Sequence, residues 1–155
     1  MNKFGITRIV ITDKNNGRGA YRFEDSRAHH AIANKLYREL FLAKGMYLLP
    51  DDGELRCTTD EFAAGYDKQF GIDVIFNFSN GLTATMQEKI LFTTWNFITV
   101  EYYNDWRKKI PGDWFNLRCN YYFVGYNHNY KSHRNIKLDT WMLCDWTRLQ
   151  IATTQ

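Results

Sequence analysis

Asp73, Gln87 and Lys89 are three polar residues that could do chemistry together. A carboxylate and an amide oxygen are hard donors of the kind Mg²⁺ accepts, and Mg²⁺ keeps several of its waters when bound. A metal held this way lowers the pKa of bound water and stabilises charge on phosphate oxygens. A lysine ammonium beside that water can orient it and stabilise developing charge. Glu88 competes with Gln87 for the same place, since a second carboxylate binds Mg²⁺ better than a neutral amide. Together these types suit metal-assisted hydrolysis.

Thirteen residues separate Asp73 from Gln87, so an element must close the gap. Val74–Phe78 and Leu82–Lys89 read as two strands around Ser79-Asn80-Gly81. Asn-Gly is a strong hairpin signal because both residues tolerate φ > 0. Strand residues alternate between faces, and a one-residue slip reverses every side chain. Matching the apolar faces pairs Phe78 with Leu82, Phe76 with Ala84 and Val74 with Met86. The loop then has three residues, with Gly81 left-handed, and Asp73 lies opposite Gln87. A two-residue Asn80-Gly81 loop would put Asp73 opposite Glu88 but mismatches the apolar faces. In the first register Glu88 faces the apolar side, where a carboxylate must sit at the rim or meet a cation.

Gly71-Ile72-Asp73, the hairpin, and Gln87-x-Lys89 resemble the PD-(D/E)XK nuclease superfamily, in its Mrr-like branch, where Gln replaces the motif's acid. Gly71 and Ile72 stand where the motif usually has a proline. The resemblance covers residues 71–89 closely and the flanking strands loosely. It implies a restriction-endonuclease-like core and a Mg²⁺- or Mn²⁺-dependent deoxyribonuclease. Asp73 would bind the metal, Gln87 would help hold it, and Lys89 would orient the attacking water. Glu39, on the first helix, is the available candidate for the acidic helix residue many members carry.

The rest of the chain must support that site. At 155 residues, one domain spanning 1–155 is expected, large enough for a real core. A hydrophobic share of 45% with only two prolines excludes a disordered chain. The charge of +3 permits a local nucleic-acid patch without demanding one. Cys57, Cys119 and Cys144 are odd in number and lack CxxC spacing, so reduced thiols in an intracellular, cytoplasmic protein are expected. No run reaches membrane-spanning length and no signal peptide is apparent. DNA is the expected partner; the sequence is compatible with a homodimer without requiring one.

Residues 5–12 read as a strand, and Tyr21 and Phe23 as a second short one. Asp25 or Ser26 opens a helix to about Lys44, stopped by Gly45. Its apolar stripe is Ile32, Leu36 and Leu40 with Tyr37 and Phe41. Its polar face carries His30, Asn34, Lys35 and Arg38. The adjacent His29 and His30 invite a metal reading, but neighbours on a helix face apart. Thr58–Glu61 matches a capping box. Residues 97–103 form another strand, whose Glu101 becomes a further metal carboxylate if that strand lies beside the Gln87 strand. Asp113 opens a short helix to Asn120, strands follow at 121–126 and 136–144, and Asp145 opens a last helix.

Lys108, Lys109, Lys131, Arg134 and Lys137 lie among Trp and Tyr, a mixture suited to phosphate contact and base stacking. The expected fold is therefore α+β: one domain with a mixed central sheet flanked by helices. Two other functions fit the same residues, a non-catalytic nucleic-acid-binding protein and a structural or host-interaction protein with aromatic interface anchors.

Overall fold

The central hairpin is the middle of a five-stranded mixed sheet. A computed structural model describes residues 9–13, 23–50, 53–57, 64–92, 98–128 and 137–154. Its elements are β1 (Ile9–Asp13), α1 (Phe23–Ala43), β2 (Glu54–Arg56), α2 (Ala64–Phe70), β3 (Val74–Asn77), β4 (Thr83–Phe92), β5 (Ile98–Asp105), β6 (Ile110–Pro111), α3 (Asp113–Asn116), β7 (Tyr121–Asn127), β8 (Thr140–Asp145) and α4 (Trp146–Thr154). The large sheet has the order β2-β3-β4-β7-β8; β4 and β7 are parallel and the other neighbours antiparallel. A second sheet has the order β1-β5-β6, with β1 parallel to β5. The chain is a single α+β domain, as its sequence leads one to expect.

Each face of the large sheet has its own core, because strand side chains alternate. On one face α1 lays Ala33, Tyr37 and Phe41 against Val74, Phe76, Phe78, Met86 and Phe123. The rings meet edge to face, Tyr37 with Phe76 at 5.3 Å and Phe41 with Phe78 at 5.3 Å between centroids. On the other face Tyr122, Val124 and Tyr126 pack with Ile98 and Val100 of β5, Trp114 of α3, and Trp146 at the start of α4. β7 is covered on both sides, and its residues from Tyr122 to Asn127 are all buried.

Several expected boundaries move. Phe23 starts α1 rather than ending a strand, so Asp25 and Ser26 lie inside the helix; Tyr21 lies outside the described residues. Gly45 does end α1: at φ 72° it lets Gly45 N–H bond Leu42 O and Met46 N–H bond Phe41 O. The fully buried row of α1 is His29, Ala33, Tyr37 and Phe41; Ile32, Leu36 and Leu40 flank it half-buried. The stripe is rotated by one position because the aromatic pair, with its larger area, takes the centre. α3 stops at Asn116, since Leu117 is extended at φ −61° and ψ 126°. The Thr58–Glu61 capping box lies outside the described residues. Among the described residues, no helix is long and apolar enough to cross a membrane.

Candidate functional site

The hairpin adopts the three-residue loop. Val74 pairs with Met86 and Phe76 with Ala84, Phe78 N–H donates to Leu82 O, and Gly81 has φ 82°. The paired register ends at Val74–Met86, and Asp73 directly precedes β3. Asp73 is 8% exposed. Its Oδ2 accepts the Glu88 N–H at 2.7 Å, and its own N–H donates to Met86 O at 2.9 Å. Gln87 and Lys89 share the face turned away from α1. Gln87 Oε1 is buried without a hydrogen-bond partner. Lys89 is half-buried, and no described residue forms an ion pair with it.

Gly71 makes the close approach possible. At φ 58° it turns the chain into β3, and a Cβ there would lie 2.2 Å from Leu117 Cδ2 and 3.2 Å from Gln87 Oε1. Cys119 adjoins the same place. Burial, helped by the Asp73 charge, pushes its thiol up to about 12, so Cys119 is not a thiolate nucleophile near neutral pH.

Glu88 takes the other face, which corrects its candidacy as catalytic or metal-binding residue beside Asp73. It meets a cation there, as an apolar-side carboxylate must. Arg56 binds it bidentately, with Nη1 to Oε2 at 2.9 Å and Nη2 to Oε1 at 3.3 Å. His30 Nδ1 lies against Oε2. Arg56 Nη2 also donates to Tyr37 Oη at 2.8 Å. Burial pushes the Glu88 carboxyl up, but the His30 and Arg56 contacts outweigh it and hold the group below the usual carboxylate range. The network continues through Glu54, which accepts from Arg38 Nε at 2.8 Å, lies 3.3 Å from Arg56 Nε and contacts Asn34. The expected polar face of α1 is thus partly an inner face against β2, while Glu39 is exposed on the helix surface.

Sequence reading missed Arg56, and it placed His30 and Tyr37 on the first helix without their link to Glu88. Alternation along β4 signalled that Glu88 needs a cation, but nothing in the sequence said which one.

Glu101 does not join Gln87. Its strand pairs with β1, Thr12 opposite Glu101, while the far neighbour of β4 is β7. The metal role proposed for Glu101 needed β5 beside β4, and the parallel β4–β7 pairing occupies that edge. Among the described residues no three His, Cys, Asp or Glu side chains gather as a metal-holding group.

Of the basic candidates, Lys108 and Lys109 lie in the exposed turn between β5 and β6. Lys108 Nζ lies 3.9 Å from Asp105, and Lys109 Nζ lies over the Trp106 ring, 2.9 Å from its centroid. Lys137 pairs with Asp139 at 2.6 Å. Lys131 and Arg134 lie outside the described residues. No protein-family model, curated protein or solved structure matches the chain.

Proposed function

We propose that the protein is a metal-dependent nuclease of the PD-(D/E)XK type, acting on DNA. One observation carries the reading. Asp73 Oδ2 accepts the Glu88 N–H, the adjoining Gln87 Oε1 is buried and unpartnered, and Lys89 lies two residues along β4 on the Gln87 face. The donor set fits a hard cation: one carboxylate and one free amide oxygen, with the remaining positions left to water and substrate phosphate. Asp73 would anchor Mg²⁺ or Mn²⁺ and Gln87 would share it. When bound, the ion would lower the pKa of a water and neutralise phosphate charge. The Glu88 N–H fixes the Asp73 carboxylate in one orientation. Lys89 would hold the attacking water and stabilise developing negative charge.

A restriction-endonuclease-like core is the finer reading of the fold. α1 precedes the antiparallel meander β2-β3-β4, and β4 is followed at its far side by parallel β7. The β4-to-β7 crossover here carries β5, β6 and α3 rather than one long helix.

A second reading, nucleic-acid binding without catalysis, is favoured by one feature: Glu88, the only acid in Gln87-Glu88-Lys89, is turned away and neutralised by Arg56. Plasmid cleavage with Mg²⁺ or Mn²⁺, with and without EDTA, separates the two. Cleavage that EDTA stops and Asp73→Ala abolishes is the expected result. Full activity in folded Asp73→Ala protein removes the nuclease reading.

A further inference from the structure

The turn after β5 is built around one exposed ring. Trp106 is 55% exposed. Asp105 shapes the turn by accepting the Arg107 and Lys108 N–H groups at 3.0 and 3.2 Å. Lys109 takes a left-handed conformation, φ 54°, and its ammonium lies over Trp106 and 5.0 Å from the Tyr103 centroid. A non-glycine residue at positive φ is uncommon. Here it brings a cation onto the ring, an attractive contact that fixes the indole in place. Residues 105–109 hold three cations against one carboxylate, and Arg107 is exposed with no described partner.

From Trp106 a chain of contacts runs to the Asp73 site. Trp106 meets Tyr103 at 5.6 Å, Tyr103 meets Tyr102 at 4.9 Å, and Tyr102 meets Phe115 at 4.6 Å between centroids. Arg118 Nη1 donates to Phe115 O at 2.7 Å, and Arg118 N–H donates to Phe70 O at 2.9 Å. Phe70 directly precedes Gly71. Phe115 and Phe70 are each 39% exposed, so large rings reach solvent along the path.

We propose that this path, from the Trp106 turn to Gly71, binds single-stranded nucleic acid. Trp106 is the base-stacking platform and Arg107 the phosphate contact. The inference rests on the nucleic-acid part of the nuclease reading and names the strand form that the site receives. Every unpaired base offers a π-face, whereas a duplex hides its base faces within the stack. Positive charge beside the rings suits the sugar-phosphate backbone of that same strand. Lys109 acts chiefly by holding Trp106, so its contribution is positioning.

Fluorescence anisotropy in EDTA, with labelled oligothymidylate and oligouridylate of about 16 nucleotides, tests this without cleavage. Wild type should bind the single strands more tightly than a duplex of equal length. Trp106→Ala should weaken binding about 5- to 100-fold, while Trp106→Phe keeps most of it. Arg107→Ala should lower the salt slope by about 0.7. A preference between the two oligomers identifies the sugar and supports the proposal either way. Equal affinities of wild type and Trp106→Ala at equal melting temperature, or no binding of either oligomer, overturn it. The nuclease reading fails separately: absence of metal-dependent plasmid cleavage, with oligomer binding intact, removes that reading and leaves the strip standing.

Discussion

Glu88 is the most deeply buried carboxylate among the described residues. Its side chain is fully enclosed, Arg56 is its compensating charge, and His30 lies against the same carboxylate. Removing one partner of a buried pair leaves the other charge without compensation, at about 3–5 kcal/mol. Glu88→Ala should therefore lower unfolding stability by about that amount. The double replacement of Glu88 and Arg56 by methionine should recover much of the loss, because well-packed apolar groups replace such pairs at little cost. Urea unfolding of the three proteins decides this. If Glu88→Ala loses less than about 1 kcal/mol, the pair is not the anchor described. The pH dependence has a defined sign. The folded-state pKa of Glu88 is lowered from 4.5, so its contribution is complete above 4.5 and fades as pH falls through the folded value. Glu88→Gln should flatten the loss of stability below pH 4.5, measured by melting temperature against pH.

Among elements, the β3–β4 hairpin and the turn that leads into it each hold one glycine, with different duties. Gly81 has φ 82° with nothing within 4 Å of an added Cβ. Gly81→Ala should cost only left-handed strain, about 1–2 kcal/mol, and Gly81→Asn less, since Asn tolerates this region. Gly71 has φ 58°, and its Cβ would press into Leu117. Gly71→Ala should add overpacking of about 1–3 kcal/mol to the same strain. Thermal unfolding of the two alanine variants should rank Gly71→Ala clearly below Gly81→Ala. The reverse order would mean that Leu117 yields easily and that the Asp73 surroundings are loosely packed.

For the molecule as a whole, the two cores share one sheet. Phe123 faces α1, while its neighbour Tyr122 faces Trp146, 5.2 Å between centroids. A defect in either layer should reach the other through β7. Phe123→Ala and Trp146→Ala should each cost about 3–5 kcal/mol. Each variant should still unfold in one transition, coincident by far-ultraviolet circular dichroism and tryptophan fluorescence. Separate transitions would show that the α1 layer and the β5–α3–α4 layer are independent folding units.

The hairpin, its register, the Gly81 turn and the Gly45 helix stop were legible in the sequence. Each is local: side-chain period, left-handed tolerance and apolar matching act within one short stretch of chain. The direction of Glu88 followed from the same alternation. Its partners did not, because Arg56 and His30 lie 32 and 58 positions away, and only the docking of α1 and β2 brings them in. Glu101 was misassigned for a related reason. Consecutive strands often pair, yet β4 takes β7 and sends β5 to another sheet. Which strand takes an open edge depends on both faces of the sheet being covered, and no local pattern encodes that. The sequence by itself determined the hairpin and which face each of its residues takes. Tertiary packing decided what meets those faces: α1 and Arg56 on one side, Leu117, Cys119 and the aromatic path on the other.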